Sequence, residues 1–155
     1  MQFINYFFAS VVSFLGLLIG IILVKIAPEE QKPLEKYFVL LRRILLLLIF
    51  IFLMFYYIGK VFYILTLASY LAFLLFVEYK LDDSIIKSML IYTVLGILFF
   101  ASASNLNLFV MDSSLILLYG IPTASLMYSR KDKNYARVFL TNLGFIIVSA
   151  ILFFI

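Results

Sequence analysis

The chain has 155 residues, 66% of them hydrophobic and 13% charged, with a mean hydropathy of +1.20 and a formal net charge of +4. Soluble domains carry about a quarter charged residues, so the composition excludes a soluble enzyme and points to an integral membrane protein with room for spans of about 20 residues and little else. Cysteine and histidine are both absent, which removes disulfides, thiol nucleophiles, haem and most zinc sites, and the basic residues sit in short segments beside apolar runs, where they set topology rather than bind nucleic acid.

Met1 to Val24 is an almost unbroken apolar run that meets Lys25 at its far end, and the first span is expected over residues 5–25. A secretory signal has the opposite charge layout. A basic flank on the C-terminal side directs the N-terminus outside. Gly16 and Gly20 form G-x-x-x-G on one helical face, which lets another helix approach closely. Packing inside the same chain is the simpler use of that motif, and a dimer seam the sharper one.

Lys25 to Arg43 is the longest polar interruption, with eight charged residues and two helix-breaking prolines, Pro28 and Pro33. Pro33 suits the first turn of the second span, expected over 37–58. Ile44 to Ile58 alone reaches about 22 Å, short of a hydrocarbon core of about 30 Å. The span therefore extends back through Arg42 and Arg43, which are expected to snorkel toward lipid phosphates or, on the sharper reading, to meet a ligand or partner carboxylate.

Gly59 and Lys60 make an outer turn before the third span, 61–78. Thr66, Ser69 and Ala72, with Phe73 and Phe76, recur at spacings of three and four, a stripe expected to be a helix contact rather than a pore lining. In the inner loop that follows, Asp82, Asp83 or Ser84 can cap the fourth span, 85–103, and capping accounts for the paired aspartates without a metal. Thr93 and Gly96 mark the small face of that span.

Ser102 to Asn107 is uncharged and polar, as an outer turn would be, and the fifth span is expected over 107–129. Asp112 has two readings there. If the helix starts at Leu106 it is an intramembrane carboxylate about 9 Å from the end, with Lys60 as the nearest external counter-charge. If it starts at Ser113, Asp112 is an N-cap, the reading that Asp followed by two serines favours. Pro122, after Gly120 and Ile121, is expected to kink or break the helix. A third inner loop, RKDKNYAR, leads into the sixth span, 136–155, where Asn142 and Thr141 lie about 9 Å inside and Asn142 invites a cross-helix hydrogen bond.

The expected architecture is all-α: a polytopic integral membrane protein of six transmembrane helices in a compact bundle of three helical hairpins. Inner segments hold five, two and four of the 12 Lys and Arg residues, leaving Lys60 outside. By the positive-inside rule both termini lie on the non-cytoplasmic side of the cell membrane. The halves do not align as a repeat. Functionally, the sparse polar chemistry and abundant small residues suggest a non-catalytic membrane subunit, scaffold or assembly factor whose partners are lipid, other membrane proteins or itself. A small-solute or ion transporter or channel, built on Asp112, Asn142, Pro122 and an inward-facing Thr66, is the alternative. A lipid-active enzyme comes third, for want of clustered carboxylates within the spans. Neither a cofactor nor a metal is expected.

Overall fold

The computed structural model describes residues 2–81, 85–130 and 135–154. Among these there is no strand. The helices are α1 (Phe3–Phe14), α2 (Gly16–Ile26), α3 (Gln31–Tyr56), α4 (Val61–Lys80), α5 (Ile85–Ser102), α6 (Leu106–Arg130), α7 (Tyr135–Asn142) and α8 (Gly144–Phe153), with a short 3-10 turn at Pro28–Glu30. They make six helical runs long and apolar enough to cross a bilayer: Phe3–Ile26, Pro33–Tyr56, Val61–Lys80, Ile85–Ser102, Leu106–Met127 and Ala136–Phe153.

Two of these runs are interrupted, each one residue before a glycine. At Leu15 the backbone N–H donates to both the Val11 and Val12 carbonyls, at 3.1 and 3.0 Å, and at Leu143 it reaches only the Leu140 carbonyl at 3.4 Å. Both are local tightenings of the 3-10 kind. Pro122, by contrast, lies inside an unbroken α6, so the expected break is not found there. Nearby hydroxyls serve the carbonyls around the proline: Thr123 donates to Tyr119 at 2.8 Å and Ser125 to Ile121 at 2.9 Å. The carbonyl that the proline deprives of its N–H donor is that of Leu118, four residues earlier, and these two hydroxyls are directed to its neighbours.

Helix α6 is the hub, packed against α1, α2, α3, α5 and α7, while α5 also packs against α8. The closest approach is between α2 and α6, where three glycines meet. A Cβ on Gly16 would run into the Leu117 carbonyl oxygen, one on Gly20 into that of Ile121, and one on Gly120 would lie 2.7 Å from the Gly16 carbonyl carbon. G-x-x-x-G here joins two helices of one chain. Hydroxyls tie both halves of the first run to α6: Ser13 of α1 donates to the Ser113 carbonyl at 3.0 Å, and Ser125 of α6 to that of Gly20 in α2 at 3.3 Å.

The centre is filled by side chains with almost no exposure, among them Tyr6, Ile49, Phe50, Tyr92, Leu95, Phe99, Ile116, Tyr119 and Phe145. Rings of Tyr6, Phe99, Phe109 and Phe145 stack and tilt against one another at 4.8 to 5.8 Å, within the favourable range for aromatic pairs. Outward-facing positions are also apolar, including Ile4, Phe8, Phe55 and Leu65, as a hydrocarbon environment requires. Helix α4 is peripheral, touching chiefly α3 and α5. Its Thr66, Ser69, Ala72, Phe73 and Phe76 are all exposed, so that stripe is not buried against another helix among the described residues. Phe3 meets Phe153 and Phe154 at 5.4 and 4.6 Å, which brings the two ends of the chain together.

Candidate functional site: two buried polar clusters

The first cluster gathers at the α4–α5 end, opposite the chain termini. Glu78 comes near the end of α4, Lys87 in the first turn of α5, and Arg42 and Arg43 in the first half of α3. Arg42 donates to Glu78 Oε1 at 2.6 Å. Lys87 Nζ donates to the Glu78 backbone carbonyl at 2.8 Å and stands 3.3 Å from Oε2, an ion pair without hydrogen-bond alignment. Arg43 Nε, at 3.6 Å from Oε1, is too far for a hydrogen bond. Arg42, Glu78 and Lys87 are each about 4% exposed or less. Among the described residues Arg42 and Lys87 thus meet the Glu78 carboxylate in a water-poor setting, where electrostatic interactions are strong, with Arg43 at its edge.

One turn into α5 the cluster continues. Ser88 donates to Asn142 Oδ1 at 2.7 Å, and Asn142 Nδ2 donates to the Val138 carbonyl at 2.7 Å. Asn142 has no exposed surface. The chain of contacts therefore links α3, α4, α5 and α7 at one end of the molecule.

The second cluster is Asp112 with Ser102. Helix α6 starts at Leu106, capped by Asn105, whose Oδ1 accepts from the backbone N–H groups of Asn107 at 3.0 Å and Leu108 at 3.2 Å. Asp112 is consequently the seventh residue of the helix and not its cap, which corrects the reading that Asp-Ser-Ser favoured. Asn105 takes the role because its short side-chain acceptor lies directly ahead of the first turn. Asp112 is 1% exposed, and neither carboxylate oxygen has a hydrogen-bond partner among the described residues. The facing hydroxyl, Ser102 of α5, commits its single proton to the Phe99 carbonyl at 2.8 Å.

Between the clusters lie Tyr92 of α5 and Tyr119 of α6, rings 6.0 Å apart and both fully buried. Serine, tyrosine and serine at 88, 92 and 102 share one face of α5, and Asp112, Tyr119 and Thr123 share one face of α6. Ser102 and Tyr92 are ten residues apart, about 15 Å along the axis. Leu95 and Phe99, which have no exposed surface, occupy that gap, so the polar groups do not form a hydrogen-bonded wire from end to end.

Several expectations are corrected by these positions. Arg42 does not snorkel outward, because the Glu78 carboxylate lies within reach on the inside; Arg43, with 37% of its side chain exposed and its guanidinium 4.6 Å over the Tyr79 ring, sits at the surface beside it. Lys60 is not the counter-charge of Asp112: its ammonium lies over the rings of Tyr57 and Tyr63 at 5.6 and 5.4 Å. Thr66 and Asn142 do not share an interior, since Thr66 is exposed and donates to its own helix at Phe62. Asp82, Asp83 and Ser84, read as caps, and Lys131 and Lys133 of the third loop lie outside the described residues. Glu78 and Lys87 carried no signal in the sequence beyond their place in charged loop flanks. No group of three or more Asp and Glu side chains converges among the described residues. No family model, curated protein or solved structure matches the chain.

Proposed function

We propose that the chain is a six-span protein of the cell membrane, a compact bundle of three helical hairpins with both termini on the non-cytoplasmic side, serving as a non-catalytic subunit or scaffold for other membrane proteins. The observation that supports this reading is how the buried ionisable and polar groups are used. Arg42, Glu78 and Lys87 bind one another, Ser88 binds Asn142, and large apolar side chains with no exposure fill the space between. In a bilayer, Arg42 would lie about 21 Å from the Tyr56 end of its helix, inside a hydrocarbon core of about 30 Å. Groups at that depth that pair with each other hold helices together, whereas a transport path needs them open to water.

The polar turn at Pro28–Glu30 supplies an exposed handle for a partner, with Lys25, Glu29 and Glu30 all at the surface. Extracted in a mild detergent, the full chain should copurify with a larger membrane complex, and the double reversal Glu29→Lys, Glu30→Lys should release it while the helical content stays constant. A chain that elutes alone before any substitution refutes the scaffold reading. A transporter is the second reading, favoured by Asp112, an ionisable side chain buried inside α6 with no hydrogen bond to its carboxylate oxygens among the described residues. Solute or proton flux in proteoliposomes that Asp112→Asn abolishes would establish it in place of the first.

A further inference from the structure

A cleft of about 480 Å³ opens where the outer turn before α4 meets the ends of α5 and α8. Tyr57 and Tyr63 form one wall, stacked at 4.9 Å and nearly parallel. Phe100, Ala101, Ile97 and Phe153 form the other walls and the floor. The Tyr57 hydroxyl donates to the Ala101 carbonyl at 2.8 Å and lies 3.1 Å from the Ser104 hydroxyl, so these polar atoms are paired with one another, and the lining is chiefly apolar. Lys60 lies beside the tyrosine wall, its ammonium 5.6 and 5.4 Å from the centres of the Tyr57 and Tyr63 rings. Among the described residues no carboxylate comes within salt-bridge distance of it.

Charge and polarity select the occupant. Interfacial tyrosines with one cation beside an apolar slot match a lipid that carries a negative headgroup over an acyl tail.

We propose that this cleft seats one acyl chain of a glycerophospholipid whose phosphate pairs with Lys60. The proposal rests on the membrane reading above and goes beyond it by assigning a discrete lipid site. It gives the lone outer cation a role that Asp112 does not.

The full chain is reconstituted in nanodiscs with equal amounts of phosphatidylglycerol and diacylglycerol, released gently, and weighed by native mass spectrometry. The wild type should retain one phosphatidylglycerol per chain in preference to diacylglycerol. Lys60→Glu, at an exposed position, should lower that occupancy by about five-fold or more, and Ala101→Phe, which fills the slot, should abolish retention of both lipids. Wild type released without lipid, equal retention of the two lipids, or Lys60→Glu retaining as much as wild type overturns the proposal. Carbonate extraction of the expressing cells separates the two levels: a chain in the membrane pellet that fails the lipid test sinks the cleft alone, and a chain in the soluble fraction sinks both.

Discussion

Replacing Gly120 by alanine puts a methyl carbon 2.7 Å from the Gly16 carbonyl carbon and the Leu17 nitrogen and 2.9 Å from Gly16 Cα. Non-bonded carbons settle at about 3.5–4.0 Å, and all three neighbours are backbone, so no rotamer change relieves the overlap. Helices α2 and α6 must separate by about 1 Å. A gap of that size forfeits about a quarter to a half of the dispersion attraction along the seam. Overpacked interiors lose about 1–3 kcal/mol, and alanine's higher helix propensity returns at most about 1 kcal/mol. A net loss of about 1–2 kcal/mol is expected for Gly120→Ala, and a larger loss for Gly16→Ala, whose Cβ would overlap the Leu117 carbonyl oxygen more deeply. Because one separation relieves both clashes, the double variant should lose well under the sum of the two. Reversible unfolding in mixed micelles measures each value. Gly59→Ala, with nothing within 4 Å of an added Cβ, is the control and should be neutral. A Gly120→Ala protein within about 0.5 kcal/mol of wild type would refute the close-contact account of this seam.

The charged cluster gives a second test. Glu78→Gln leaves Arg42 and Lys87 beside a neutral amide, and removing one member of a buried ionic group typically costs about 3–5 kcal/mol; a lowered melting midpoint in detergent is expected, and an unchanged midpoint would show that the cations are stabilised without Glu78. For Ser88 and Asn142, a double-alanine cycle should return a coupling of about 0.6 kcal/mol, the scale of hydrogen bonds between helices in lipid, and a coupling indistinguishable from zero would mean that the 2.7 Å contact adds nothing to stability.

Runs of Leu, Ile and Phe, with Gly59-Lys60 and Ser102 to Asn107 between them, were enough to place six apolar helices, because hydropathy and turn residues act locally. What side chains do at the ends of those helices is a different matter. Arg42 and Glu78 are 36 residues apart, and an arginine near a helix end carries the same local signature whether it reaches out to phosphate or in to a carboxylate. The Asp112 cap failed for a related reason: both Asn105 and Asp112 are competent caps in isolation, and only the packing of the preceding turn decides between them. Pro122 is a signal of the opposite kind. A proline is conspicuous in a sequence, yet α6 runs through it, while the interruptions at Leu15 and Leu143 have no comparable marker beyond the glycine that follows each.

The ring contact between Phe3 and Phe154, 4.6 Å, means that the polypeptide nearly closes on itself. A short flexible peptide would suffice to ligate head to tail, since neighbouring ends are what makes rearranged chain orders tolerable. The molecule could then be reopened at Gly59, giving a permuted version in which the fifth span, α6, becomes the third to be synthesised and the same partners must find one another in a new order.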